Sequence, residues 1–226
     1  MSTVGLLHPG EMGAAIGSAL RARNIPVLWA SEGRTASTAR RAATADLHDV
    51  GTIEQMTIQA DVIISICPPH AALALAGTVG RSGFSGTYLD ANAISPGTAE
   101  KVAAAVGPAT YVDGGVFGPP PTQHGHTRLY LSGTKATALV PLLNGGPLET
   151  IALTGATTAA SALKMTYAAW TKGTAALVLA LPRPPASMMW KPLCCRNGTV
   201  PNLTCSSAPR PPSDPPRPRA GGGERR

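Results

Sequence analysis

Short apolar runs recur along the first 181 residues, each followed by a stretch whose apolar positions fall three and four apart. TVGLL is the first run and predicts a strand. After it, Met12, Ala15, Ile16, Ala19 and Leu20 have helical spacing between Gly10 and Arg23. IPVLWA predicts a second buried strand, TASTARRAATA an Ala-rich helix, and a short third strand is expected near Leu47 to Val50. ADVIISIC is the strongest strand pattern, and Pro68-Pro69 ends it. PHAALALAGTV then predicts a helix, TYLDA a strand, and PGTAEKVAAAV a helix with Pro96 in its first turn. TYVDGG and TRLYLSG predict strands, TKATALVPLL a helix and LETIAL a last strand. A long helix is expected from Thr157, stopping at Pro182.

Near-continuous apolar strands alternating with helices imply a parallel sheet covered on both faces. The expected fold is α/β, a Rossmann-type doubly wound, mostly parallel sheet over residues 1–156. One long helix follows over 157–181, then a disordered Pro/Arg-rich tail over 182–226. Ligands of such sheets bind outside the carboxyl ends of the strands, so the residues after each strand are the candidate site.

Composition separates the tail from the rest. Residues 182–226 hold 11 of the 22 prolines and three of the four cysteines, with no apolar periodicity. Of the net charge of +7, +6 lies there. The basic balance therefore belongs to the tail and not to a folded binding face, which argues against nucleic acid as a partner. Cys194, Cys195 and Cys205 lack the paired spacing of a zinc site. Two readings of the tail stand: a basic arm for nucleic acid or an acidic partner, or the wrong reading frame of a GC-rich gene, the break falling within a promising helix. No apolar run approaches the roughly 20 residues of a membrane span, and the N-terminus shows no signal-peptide pattern. A cytoplasmic protein is expected.

The strand ends carry candidate chemistry. After the first strand, HPGEMG puts His8, Gly10 and Gly13 at the three glycine positions of a dinucleotide fingerprint. Gly10 admits a phosphate and Gly13 lets the helix pack closely, while His8 only has to turn the chain at negative φ, with Pro9 beside it. Pyrophosphate would sit over the helix start at Glu11 and Met12. After the second strand, Ser31, Arg34 and Thr35 suit a 2′-phosphate, which favours NADP; Glu32 keeps NAD as the alternative. After the fourth, Cys67, Pro68 and Pro69 form a stiff wall beside the nucleotide, Cys67 being a small hydrophobe and not a nucleophile. After the fifth, Asn92 would hold a carboxamide or substrate oxygen. After the sixth, DGGVFGPPP predicts a rigid shaped loop, with His124 and His126 in an ordinary exposed loop beyond it.

The order of these pieces resembles the β-hydroxyacid dehydrogenase and 6-phosphogluconate dehydrogenase superfamily over about residues 3–181. The fingerprint ends Gly10-Glu11-Met12-Gly13, as that family's G-x-M-G does. DANAISP is similar to its D-x-S/N-x-x-x-P segment, and VDGGVFGPP to its substrate loop. The resemblance implies NAD(P)-dependent hydride transfer to or from a small hydroxy acid, carbonyl or imine, with Lys164 as the catalytic lysine and Tyr167, one turn on, assisting. It also implies a helical C-terminal domain that completes the site and forms a homodimer, here missing or replaced by the tail. The substrate-loop serine corresponds to Phe117 and its last glycine to Pro119, and the asparagines expected after the lysine are Tyr167 and Ala168. These departures point to a divergent branch. The alternative function is a non-catalytic cofactor- or partner-binding module with a basic disordered arm.

Overall fold

The computed structural model describes residues 2–180. The expected disordered tail, as a basic arm or a frame-shifted segment, lies outside the described residues. Eight strands form one sheet: β1 (Val4–Leu7), β2 (Val27–Trp29), β3 (His48–Asp49), β4 (Val62–Ser65), β5 (Thr87–Asp90), β6 (Thr110–Phe117), β7 (Thr127–Ser132) and β8 (Leu148–Ala152). Their order is β3-β2-β1-β4-β5-β6-β7-β8. Every neighbouring pair is parallel except β6 and β7. Seven helices accompany the strands: α1 (Glu11–Arg21), α2 (Ala36–Thr44), α3 (Ile53–Gln59), α4 (Ala72–Arg81), α5 (Pro96–Ala105), α6 (Ala136–Leu143) and α7 (Ala159–Ala180). None among the described residues is long and apolar enough to cross a membrane.

The strands are apolar on both sides because both sides are covered. Leu6, Trp29, Ile64, Leu89 and Val112 belong to one buried cluster; their chain neighbours Leu7, Leu28, Ile63, Tyr88 and Tyr111 belong to the other. Side chains alternate across a strand, so one residue step changes the face. Burying an aliphatic side chain of this size contributes about 1.5–3 kcal/mol, and these rows supply most of the driving force for the sheet. Strand order reverses at β1 and β4, which opens the crevice where such folds bind ligands.

Three expectations change. Residues 53–59, unassigned from sequence, form α3, capped by the Thr52 hydroxyl accepting the Gln55 N–H at 3.2 Å. The helix expected from Pro69 begins as a single 3-10 turn (Pro69–Ala71) before α4. Val116 and Phe117, expected in the rigid loop, extend the strand expected over TYVDGG, and Asp113 to Phe117 pair with β7 from Ser132 to Arg128. The loop starts only at Gly118. Pro141 inside α6 removes one N–H, and the Arg23 guanidinium meets the carbonyls of Pro141 and Leu142 at 3.1 and 2.7 Å.

Candidate active site

The turn from β1 into α1 is built on His8. The Gly10 N–H donates to the His8 carbonyl at 2.7 Å. His8 has φ of +67°, in the left-handed region and not at the negative φ expected. A side chain there costs roughly 1–2 kcal/mol, so the substitution of glycine retained the backbone shape and accepted the strain. Gly13 has the expected role: a Cβ there would stand 3.0 Å from the His8 carbonyl oxygen. Gly10 is the N-cap of α1 and has no side chain to cap it. The first-turn amides at Glu11, Met12 and Gly13 are thus left without a side-chain acceptor, at the positive end of the helix dipole. The Arg41 guanidinium braces the buried Pro9 through its carbonyl at 3.3 Å.

Arg34 lies half-buried after β2, and its Nε is buried without a hydrogen-bond partner among the described residues. A buried guanidinium nitrogen without an acceptor is costly, and an anionic ligand is what would satisfy it. Burial first, then Arg34 and Arg41, push the His8 imidazole below its usual range, its own carbonyl opposing. Ser31 is half-buried and Glu32 exposed. Thr35 is committed elsewhere: its hydroxyl caps α2 by accepting the Thr38 N–H at 3.3 Å. Uncapped amides beside an unsatisfied guanidinium fit the phosphates of a dinucleotide.

The next strands end in a buried polar row. Ser65, Asp90, Asp113 and Ser132 are register partners across β4, β5, β6 and β7, and none is exposed. Asn92 is tied into this row. Its Nδ2 donates to Ser65 Oγ at 3.0 Å and to Asp90 Oδ1 at 2.6 Å; its Oδ1 accepts the Cys67 N–H at 2.6 Å. Both amide protons are therefore spent within the protein, and Asn92 braces the Cys67-Pro68-Pro69 turn, whose prolines are exposed. Burial raises the Cys67 thiol, consistent with an unreactive side chain. Burial also raises the Asp90 carboxyl to about 6, against the Asn92 hydrogen bonds.

Asp113 joins the row to α7. Its Oδ2 accepts the Ser161 N–H at 2.7 Å and the Ser132 hydroxyl at 3.3 Å; its Oδ1 accepts the Ser161 hydroxyl at 2.6 Å. One turn on, the half-buried Lys164 donates from Nζ to the Val116 carbonyl at 2.6 Å. The same ammonium lies 5.0 Å from the centroid of the Phe117 ring, which stacks between Tyr130 and Tyr167 at 5.0 Å each. Burial lowers the Lys164 pKa, and Lys172 adds to this. Tyr167 is exposed, 6.0 Å from Nζ by its ring.

A cleft of about 190 Å³ brings these parts together, lined by Met12, Cys67, Pro69, Asn92, Val116 and Lys164. It unites candidates from the ends of β1, β4, β5 and β6 with α7. Ser31, Arg34 and Thr35 belong to a separate region after β2. Among the described residues no cluster of His, Cys, Asp and Glu is placed to hold a metal, and His124 and His126 are exposed. Ser65, Asp90, Ser132 and Ser161 escaped the sequence reading. Their signal was a polar residue closing each apolar run: VIIS, TYLD and TRLYLS.

No family model matches the chain, and no curated protein does. Solved structures do. The conserved protein MTH1747, of unknown function and described as structurally similar to 3-hydroxyacid dehydrogenases, is 30% identical with a TM-score of 0.69, over 77% of this chain and 66% of that one. A reductive aminase from Aspergillus terreus in complex with NADPH and ethyl levulinate is 19% identical, with a TM-score of 0.64 over 79% and 64%. The 3-hydroxyisobutyrate dehydrogenase of Mycobacterium tuberculosis, with L-serine, is 22% identical, with a TM-score of 0.63 over 80% and 65%. The chain thus spans somewhat less than two thirds of the length of these structures. It is a Rossmann-type α/β protein similar in fold to the 3-hydroxyacid dehydrogenase-like and imine reductase NAD(P)-binding proteins.

Proposed function

We propose that the chain is an NADP-dependent oxidoreductase acting at a carbon bonded to oxygen or nitrogen in a small hydroxy acid, carbonyl or imine. The observation that carries this reading is the cleft that joins Met12 of the fingerprint helix to Lys164 of α7. The uncapped first turn of α1 would hold the pyrophosphate. Arg34, with Ser31, would hold a 2′-phosphate, the guanidinium forking onto its oxygens. The nicotinamide, when bound, supplies or accepts the hydride. Lys164 carries the matching proton at the substrate oxygen or nitrogen, and burial brings its pKa closer to neutrality, where a proton carrier is most effective. Phe117 removes the hydroxyl that a carboxylate would meet at that position of β6, so uncharged carbonyls and imines suit this cleft better than hydroxy acids.

The test is a screen of carbonyl and imine substrates with NADPH, in the full chain and in Lys164→Met. Turnover that falls roughly 10²–10⁴-fold in the variant, at unchanged nucleotide affinity, is the expected result. Nucleotide binding without turnover of any substrate would leave a binding module in place of an enzyme.

A further inference from the structure

The long helix α7 carries Lys164, yet among the described residues only two of its side chains, Ala160 and Ser161, are buried. Trp170, Leu177 and Leu179 are 72%, 71% and 85% exposed, so packing within the described residues does little to hold its second half. Its hold on the sheet is at its first turn. There the helix's own amides are met from the sheet: the Ala160 N–H donates to Ser132 Oγ at 3.0 Å, and the Ser161 N–H to Asp113 Oδ2 at 2.7 Å. A carboxylate at this position also meets the positive end of the helix dipole. The Ser161 hydroxyl closes a second bond to the other oxygen at 2.6 Å, so the carboxyl grips one residue through two atoms and fixes the rotation of the helix as well as its height.

The remainder of β6 sets the distance. A Cβ on Gly115 would stand 3.0 Å from the Ala160 carbonyl oxygen and 3.3 Å from Lys164 Cβ. Only a residue without a side chain lets α7 lie this close, and only then does Lys164 Nζ reach the Val116 carbonyl at 2.6 Å. One strand thus supplies the cap, the clearance and the acceptor.

We propose that Asp113 is the positioning residue of the site, a carboxylate from β6 that caps α7 and thereby sets where the Lys164 ammonium stands. This deepens the reading of Lys164 as the proton carrier and rests on it. The chemistry of the cap is independent of any nucleotide, so the two claims separate experimentally.

The test measures the pH midpoint at which the amine of Lys164 becomes reactive, by competitive acylation of the full chain read by mass spectrometry, peptide by peptide. Peptides that carry the other lysines calibrate the labelling. With the cap intact, burial holds the Lys164 midpoint below the ordinary lysine value. In Asp113→Ala the midpoint rises toward that value. In Ser161→Ala, which removes one hydroxyl and keeps the backbone donor, it rises in smaller measure. Asp113→Asn keeps an acceptor oxygen for the Ser161 N–H and restores most of the wild-type behaviour. Should Asp113→Ala fail to fold, Ser161→Ala decides. A midpoint unchanged in both alanine variants overturns the proposal. NADPH affinity, measured alongside, is expected to change less than about twofold in Ser161→Ala, since Ser161 contacts neither the first turn of α1 nor Arg34. Failure of the wild type to bind NADPH would overturn the enzymatic reading and leave the midpoint shifts to decide the cap.

Discussion

The buried row makes the stability of the fold depend on pH through Asp90. Its carboxyl is raised from 3.8 to about 6, first by burial and further by Asp113, with the Asn92 hydrogen bonds opposing. The folded state therefore keeps this proton to a higher pH than the unfolded chain does. The contribution is fully present below about pH 4 and is lost as pH rises through about 6. Two pH units correspond to about 3 kcal/mol, which is a large share of the 5–15 kcal/mol typical of a domain. Asp90→Asn isolates the effect. Its carboxamide oxygen can still accept the Asn92 N–H and Nδ2, now at 3.0 and 2.6 Å, and its amide can donate to the Tyr111 hydroxyl, now 3.5 Å from Oδ2. The variant has no charge to desolvate. Relative to wild type it should gain about 2 kcal/mol between pH 4.5 and 7.5, the remainder of the roughly 3 kcal/mol falling below pH 4.5. With a urea m-value of about 2 kcal/mol/M, its midpoint should move up by roughly 1 M over that range relative to wild type. The assay is urea unfolding at half-unit pH steps, followed by far-ultraviolet circular dichroism. A stability difference that does not vary with pH, or that turns against Asp90→Asn as pH rises, would refute the reasoning, because it would give Asp90 an ordinary or lowered pKa in the fold.

Other expectations rest on single contacts. His8→Gly relieves a left-handed residue with a side chain and should stabilise the chain by up to about 1 kcal/mol, seen as a Tm rise of about 2–4 °C, with NADPH binding retained; a lower Tm would contradict the strain argument. Gly80→Ala drives a Cβ into the Ala105 carbonyl where α4 meets α5 and should cost about 3 kcal/mol or more, read as a loss of several degrees in Tm; a neutral result would mean that the two helices are not packed this closely. Gly115→Ala should push α7 from β6, and faster amide exchange in its first two turns, with β1 to β5 unaffected, is the signature to look for.

The sheet was legible because its strands are short, apolar and separated by helical spacing. The errors have particular causes. In α3 only Met56 is fully buried, Ile53 is partly so, and Ile58 is 76% exposed, so no long apolar stripe marks it. Gly114 and Gly115 fell in both the expected strand TYVDGG and the expected loop DGGVFGPPP, and they lie in the strand: a Cβ on Gly114 would meet Leu89 Cδ1 at 2.9 Å and one on Gly115 would meet α7. Close approach, not flexibility, explains both glycines. The fingerprint was readable through Gly10 and Gly13, but the φ of His8 was not, since sequence does not report the sign a turn requires. Arg34 could be singled out by position and type, and Lys164 only through the family resemblance. The Ser65–Asp90–Asp113–Ser132 row could not, because it exists only once the register of four strands is known.

The central claim is a nucleotide site built for a 2′-phosphate, and one titration tests it most directly: NADPH and NADH against the wild type and Arg34→Ala, followed by nucleotide fluorescence. NADPH should bind more tightly than NADH. Loss of the Arg34 guanidinium should weaken NADPH by about tenfold or more and leave NADH nearly unchanged. Binding of neither nucleotide, or an NADPH affinity indifferent to Arg34, would contradict the account.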